Sequence, residues 1–466
     1  MKEFRTRKIC TLALVLVVIL TSCSQLKKDA IPWENMFDGR TLEGWTVIGG
    51  KASYEVIDGT IVGTSTMNTP NTFLRSDKMY GDFILELDYK VDPKLNSGIQ
   101  IRSNSFPEYK DGRVHGYQIE IDPAKRAWSA GIFDEARRGW LYNLNENPAA
   151  QNAFKQNDWN HYRIEAIGDT LKTWINGVPA AHLVDDMTAT GFIGLQVHGI
   201  GTHKEKDGTQ VIWKNVKIVS ENARKYSKAS TLPAKYTVNS LVGNDVKHGW
   251  KLLWDGKTSK GWKGAKLDKF PEGGWEIKEG VLSVLASGGH ESTNGGDIVT
   301  TEKYGNFELK VEFKITEGAN SGIKYYVDTE INKGKGSSIG LEYQILDDAK
   351  HPDAKLGNHK GSRTIASLYD LIQADTSKIV NPIGEWNYAH IISKNNHVEH
   401  WLNGKKVLQY ERKSAAYLKL VSESKYKKWP KFGEATEGRI LLQDHGDKVS
   451  FRNIKIRSFN KENKKK

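Results

Sequence analysis

Apolar and polar residues alternate with a period of two along much of the chain. FILELDYKV (83–91), FELKVEFKI (307–315), GYQIEID (116–122) and VSFRNIKI (449–456) all follow this pattern. Successive side chains of a strand point to opposite faces, so the spacing predicts strands with one face on a core and the other open. Asn176-Gly177 and Asn403-Gly404 fall between such runs, and Asn-Gly is the dipeptide that tight hairpins favour. Helical periodicity is scarce, so the expected fold class is all-β, an antiparallel sandwich.

The pattern also occurs twice. MFDGRTLEGW (36–45) answers LWDGKTSKGW (253–262), and YGDFILELDYKVDPKLNSGIQIRS (80–103) answers YGNFELKVEFKITEGANSGIKYYV (304–327) at a constant offset of 224. DWNHYRI (158–164) and TWING (173–177) return as EWNYAHI (385–391) and HWLNG (400–404) at an offset of 227. The chain therefore reads as two tandem copies of one domain, residues 33–220 and 249–459, each near the size at which a sandwich closes one core. Residues 221–248 between them read as a linker, because ENARKYSKASTLPAKYTVNS (221–240) is polar, holds Pro233 and lacks periodicity. Trp174 and Trp401, just before the two Asn-Gly turns, are expected to pack in the cores.

The N-terminus changes the picture of where the protein works. Lys2, Arg5, Arg7 and Lys8 precede an uncharged, mostly apolar run from Ile9 to Leu20 that is too short to span a bilayer. Leu20-Thr21-Ser22-Cys23 resembles the lipobox of bacterial lipoproteins. That resemblance implies removal of residues 1–22, lipidation of Cys23 and a place in the cell envelope, on the periplasmic or the outer surface; an ordinary secretory signal is the alternative. Cys10 and Cys23 are the two cysteines, so the mature chain keeps one and forms no internal disulfide. Net charge is +12, with part of the excess in the tail 460–466, NKENKKK, read as a solvated basic end. No RNP, helix-turn-helix or zinc-knuckle pattern accompanies it, so nucleic acid is not an expected partner. Membrane contact is expected through the lipid anchor only.

Candidate chemistry lies on the polar faces of three strands. In the first copy Gly98, Gln100 and Arg102 oppose Ile99 and Ile101, while Gln118, Glu120 and Asp122 oppose Tyr117, Ile119 and Ile121. Gln196 and His198 likewise oppose Leu195 and Val197. If these strands are neighbours, their polar faces merge into a floor of amides, carboxylates, a guanidinium and an imidazole, a mixture suited to sugar hydroxyls. The second copy repeats the set with changes: Lys324 and Tyr326 replace Gln100 and Arg102, Glu342 and Gln344 replace Gln118 and Glu120, and Gln443 and His445 replace Gln196 and His198. Asn96 and Asn320 precede the Ser-Gly pair of each copy and could ligate, and Arg363 could clamp a substrate or pair with nearby acids. Asp347, Asp348, His351 and His359 offer metal-ligand types at a spacing that matches no standard template. Glu120-Ile121-Asp122 looks like part of the Glu-x-Asp-x-x-Glu strand motif of retaining glucanases, yet the last position is Lys125 and the second copy fails the motif too.

The ordered fragments LWDGKTSKGW, NSGIKYYV, GLEYQILDD, SLYDLI, GEWN, HWLNG and LLQDHGDKVSFRNIKIRS closely resemble the 3-keto-disaccharide hydrolase domain family over nearly all of the second copy. The first copy matches more loosely, through MFDGRTLEGW, NSGIQIRS, GYQIEID and GFIGLQVHG. The resemblance implies two concanavalin-like jelly-roll sandwiches and cleavage of glycosides already oxidised to a ketone at sugar C3. It implies no obligatory cofactor, although a divalent cation could replace Lys324 as electrophile. For the second copy the expected roles are His445 or Glu342 as base, Lys324 and Gln344 as donors to the enolate or hydroxyls, and Gln443 as an orienting group. His198, Glu120, Gln118, Arg102 and Gln196 are the first-copy equivalents. The second copy is the expected catalyst because it keeps the fuller pattern. A carbohydrate-binding lipoprotein without turnover, or one catalytic and one binding copy, are the alternatives.

Overall fold

The computed structural model describes residues 30–185, 187–288, 290–334 and 336–459; the leader, Cys23 and the tail 460–466 lie outside them. Among the described residues, those from Trp33 to Phe459 form one compact unit, almost entirely of antiparallel sheets. Among the described residues the first half holds a nine-stranded and a seven-stranded sheet, and the second half an eight-stranded and a five-stranded one. The large sheets are centred on Phe83–Val91 and Phe307–Ile315, each between two long partners.

Alternation along these strands builds the cores. Leu85, Leu87 and Tyr89 meet Ile99, Ile101, Tyr117 and Ile119 from the facing sheet, all fully buried. Leu309, Val311 and Phe313 meet Ile323, Tyr325, Leu341 and Tyr343 in the same way. The two clusters are separate, so each half closes over its own core, with each large side chain contributing about 1.5–3 kcal/mol. Both Asn-Gly pairs take positive φ at both residues, at 49° and 83° and at 49° and 85°, as two-residue hairpin turns of matching twist require.

Two expectations change. The segment 221–248 is packed: Lys235–Tyr236 pairs in parallel with Leu183 and Val184, and Val242 joins the first core. Asp245 in the same segment meets Lys455 Nζ at 3.0 Å, and Asn239 bonds both Gly280 and Asn453 of the second half. Lack of periodicity marked the absence of long strands there, but polar side chains bridging the two halves hold the segment in place. Trp174 and Trp401 are buried as expected but join neither of the two large core clusters. Each shares a strand face with outward residues, Trp174 beside Lys172 and Trp401 donating to Glu399 at 2.8 Å while it meets Tyr109 of the first half edge-on.

Candidate active site

In the first copy Ser97–Asn104 lies between His115–Ile121 and Phe192–Val197 in the smaller sheet. Register sets Gln100 opposite Gln118, and Gly98 opposite both Glu120 and Gln196. Gly98 is needed because a Cβ there would stand 2.5 Å from the Gln118 side chain, which leans across the vacant position. A directional chain of hydrogen bonds results. Ser103 donates to Gln100 (2.7 Å), Gln100 and Gln196 both donate to Gln118 Oε1 (2.7 and 2.9 Å), and Gln118 donates to Glu120 Oε2 (2.9 Å). Asn96 supplies the other Glu120 oxygen at 2.7 Å. Burial outweighs these donors and pushes the Glu120 carboxyl up to about 7. His198, just beyond its strand, turns Nδ1 to the Gly199 carbonyl at 2.8 Å, and burial lowers its pKa. With Gln118, Glu120, Arg126 and Trp140 it lines a cleft of about 1000 Å³.

The second copy places the same strands, Asn320–Asp328 between Ile339–Leu346 and Arg439–Leu442, and fills them differently. Lys324 stands opposite Glu342 with Nζ 3.5 Å from Oε2, and Gly322 makes room for that carboxyl. The ammonium also donates to Ser337, which in turn donates to Asp297. Burial alone would lower Lys324, but Glu342, Asp297 and Glu291 outweigh it and hold the ammonium charged; burial pushes Glu342 up despite Lys324. Gln443 donates to Glu291 at 3.1 Å, and Asn320 Nδ2 sits 3.3 Å from His445 Nε2.

Asn320, Lys324, Glu342, Gln443 and His445 all line one cavity of about 240 Å³. Gln344 lies beneath it, fully buried, with Nε2 3.4 Å from Asn320 Oδ1. Three buried polar atoms around this floor have no partner among the described residues: Gln443 Oε1, Gln344 Oε1 and His445 Nδ1. Each costs about 1–3 kcal/mol unless satisfied, and two of them belong to residues that line the cavity, Gln443 and His445.

Three sequence candidates stand elsewhere. Arg102 leaves the floor: its φ of +44° forms a bulge, and the guanidinium bonds Gly81, Gly168 and Asp82 instead. Tyr326 has the same bulge, at +55°, and joins the second core. Strict alternation put these two residues on the floor, but the bulge moves them off it. Arg363 is tied to Asp353 (2.6 Å) and Asp370 (2.8 Å) outside the cavity lining. Asp347 accepts the backbone N–H groups of Gly318, Ala349 and Lys350, and Asp348 that of Ile365; among the described residues no group of three or more His, Cys, Asp or Glu is arranged to hold a metal ion.

A profile of the 3-keto-alpha-glucoside-1,2-lyase-like domain matches the chain twice, over residues 32–219 and 249–457. The chain belongs to this family. A 3-keto-disaccharide hydrolase of Bacteroides thetaiotaomicron is 38% identical over 258 residues, covering 51% of this chain and 87% of that protein. A crystal structure of a candidate glycosyl hydrolase from Parabacteroides distasonis is 31% identical with a TM-score of 0.42, covering 48% of this chain and all of the other. A carbohydrate-binding module from Bacillus subtilis aligns at 20% identity and a TM-score of 0.29, over 38% of this chain and 96% of its own.

Sequence reasoning missed several residues around the sites of this 3-keto-alpha-glucoside-1,2-lyase-like chain. Glu291, Tyr369 and Lys425 line the second cavity, and Arg126 and Trp140 the first. All but Trp140 come from outside the regular strands, where no period marks them. A signal did exist for Tyr369, within the fragment SLYDLI that the family resemblance rests on.

Proposed function

We propose that the chain hydrolyses glycosides already oxidised to a ketone at sugar C3, with the second copy as the catalyst. The ketone acidifies the C2 proton. A base removes it, the electron pair forms an enolate, and the C1–O bond breaks as the departing aglycone oxygen gains a proton. Water then adds to C1 of the enone and a proton returns to C2, so one water is consumed for each glycosidic bond broken. His445 or Glu342 serves as base, Lys324 meets the enolate oxygen, Asn320 and Gln443 hold hydroxyls, and Gln344 positions Asn320 from below.

The observation that carries this reading is the convergence of a charged ammonium, a carboxyl and an imidazole on one small cavity. Proton abstraction beside a ketone needs a base and a cation within one sugar's reach. The first copy has Gln100 where Lys324 stands, so its floor keeps a carboxyl and an imidazole but has an amide in place of the ammonium; this favours a second reading in which that copy binds carbohydrate without turning it over. The lipoprotein expectation is part of the proposal, with Cys23 as anchor to the cell envelope.

The test is incubation of the mature protein with 3-keto-glucosides, made by oxidising trehalose and an aryl glucoside, beside the unoxidised sugars and with or without chelator. Release of 3-keto-glucose from the oxidised set alone is expected. Saturable binding with no release overturns the enzyme in favour of a carbohydrate-binding protein, and release from unoxidised sugars overturns the enolate route.

A further inference from the structure

The outer faces of the two large sheets, equivalent by the repeat, are finished differently. In the first copy the segment 221–248 covers this face. Arg163 donates to the Tyr226 carbonyl at 2.8 Å, Lys172 to Ser227 at 2.8 Å, and Glu165 accepts from Ser227 and from the Lys228 backbone. In the second copy the face carrying Tyr388, His390, Glu399 and Trp401 instead looks onto a cavity of about 560 Å³, closed on its other side by Tyr109 and Arg137 of the first copy. The wall is aromatic: Tyr109 and Trp401 meet edge-on at 6.1 Å, and Trp250 and Phe459 line it as well.

Two polar groups in this cavity are left over. Tyr388 Oη is buried with no hydrogen-bond partner, whereas its first-copy counterpart His161 is bonded to Asp88. Lys310 lies with its ammonium 4.3 Å from the Trp250 ring centre and meets no acceptor among the described residues. Glu308, the nearest carboxylate along its strand, is engaged by His390 and Arg457. Lys310 and Tyr388 lie on adjacent strands two residues apart in register, Lys310 opposite His390 and Glu312 opposite Tyr388, so they are diagonal neighbours on one face of the sheet. Lys110, Ala136 and Arg137 line this cavity and also the first copy's cleft, so the two spaces adjoin along one rim.

We infer that the groove between the copies binds a planar aromatic molecule carrying an acidic oxygen, the phenolic aglycone of a glycoside, with Lys310 and Tyr388 on that oxygen and Trp401 and Tyr109 against the ring. Glu308 and Asp245 act on the Lys310 ammonium from a distance but no acceptor touches it; a phenolate or polarised phenol supplies one and suits the aromatic wall better than a neutral sugar does. Only the naming of the ligand as an aglycone rests on the glycoside-cleaving reading.

Calorimetric titration of the full mature chain with 4-nitrophenol and umbelliferone, beside trehalose, glucose and benzyl alcohol, tests it. Saturable binding of the two phenols is expected, weakened about tenfold by Lys310→Met and about threefold by Tyr388→Phe. Both variants should fold and should hydrolyse 3-keto-trehalose at the wild-type rate, since the first removes a buried ammonium that no acceptor touches and the second an unpaired hydroxyl. No saturable phenol binding overturns the inference, as does equal affinity for benzyl alcohol. Phenol binding that survives both variants but is lost in His198→Ala also overturns it, because the ligand then sits in the cleft. Phenol binding without glycoside turnover overturns the proposed function and leaves the groove; turnover without phenol binding does the reverse.

Discussion

The two floors share a backbone and differ in what their polar groups still lack. In the first copy the amides of Gln100, Gln118 and Gln196 bond one another and end on Glu120, and one floor oxygen, Gln196 Oε1, has no partner. In the second a Lys324–Glu342 pair interrupts the amide chain and three atoms are unsatisfied. Loops amplify the difference. The hairpin Ile132–Glu135 and Gly139–Tyr142 extends the first copy's sheet and walls a wide cleft with Phe133 and Trp140. The second copy has no such hairpin among its described residues; its helix Ala415–Glu423 and the following turn bring Lys425 and Trp429 over a space of about a quarter of the volume. A repeated strand pattern thus preserves a surface whose polar groups and volume differ through one substitution, Gln100 to Lys324, and the surrounding loops.

His445→Ala should break the comparison most visibly. Loss of a positioned base lowers kcat/KM on 3-keto-trehalose by about 10²–10⁴-fold, whereas His198→Ala should stay within about threefold. Steady-state kinetics of both variants decide it. The reverse outcome would make the wide cleft the catalyst and the Lys324 pocket the binding site.

Lys324→Met comes next, through stability. It leaves the buried carboxyls of Glu342 and Asp297 without their cation, at a cost of about 4 kcal/mol, while Gln100→Met in the first copy removes two neutral bonds worth about 1 kcal/mol each. Because each half has its own core, urea unfolding should show the loss in one transition rather than spread over both. Equal shifts for the two variants would mean that the pair does no more than the amide it replaces.

How much of this the sequence revealed follows from its period. Ile99, Tyr117 and Leu195 against Gln100, Gln118 and Gln196 are legible because a two-residue period has only two faces and one must be the core. Arg102 and Tyr326 were misplaced because a left-handed residue adds a half-step that composition does not announce; the glycines beside them, Gly191 and Gly438, are the trace of it. A Cβ on either would lie 2.3 Å from the bulged backbone, yet in sequence each reads as an ordinary turn glycine. Glu291, Tyr369 and Lys425 reach the cavity through loop geometry, which depends on contacts far apart in the chain. The repeat itself gave a further signal, since outward positions that pair with the connecting segment in one copy and lack such partners in the other are visible only by comparing the halves.

The first copy's carboxyl gives the next largest effect. Glu120 sits at about 7 because it is buried, above the 4.5 of its unfolded state, so the folded protein holds the proton more tightly. Stability should therefore be greatest below about pH 4.5 as far as this group is concerned, and fall by up to about 3 kcal/mol as pH rises through 7. Glu312, also raised to about 7 by burial, acts in the same direction. Glu120→Gln should flatten the pH dependence by its own share, measured as the urea midpoint at pH 5 and pH 8. An unchanged slope would place the whole effect on Glu312 and the contact between the halves.

The smallest effect is expected at the mouth of the wide cleft. Arg126 is partly exposed, 3.4 Å from Glu120, and lies over Trp128 at 4.9 Å and Trp140 at 5.2 Å. Arg126 also pairs with Asp122, and both carboxyls are buried while the guanidinium is not; with Asp122 still accepting from the Ala124 N–H and Glu120 from Asn96 and Gln118, Arg126→Ala should lower the unfolding free energy by no more than about 1–2 kcal/mol. The same change removes a cation from one edge of Glu120 and uncovers two indole faces, on which a sugar ring can stack. Affinity of the first copy for trehalose, measured in a His445→Ala background so that only binding is read, should then change by about twofold to fivefold while stability holds. A change in the second copy's turnover instead would show that the two sites are coupled through the segment between them, and the comparison of two independent floors would have to give way to one shared site.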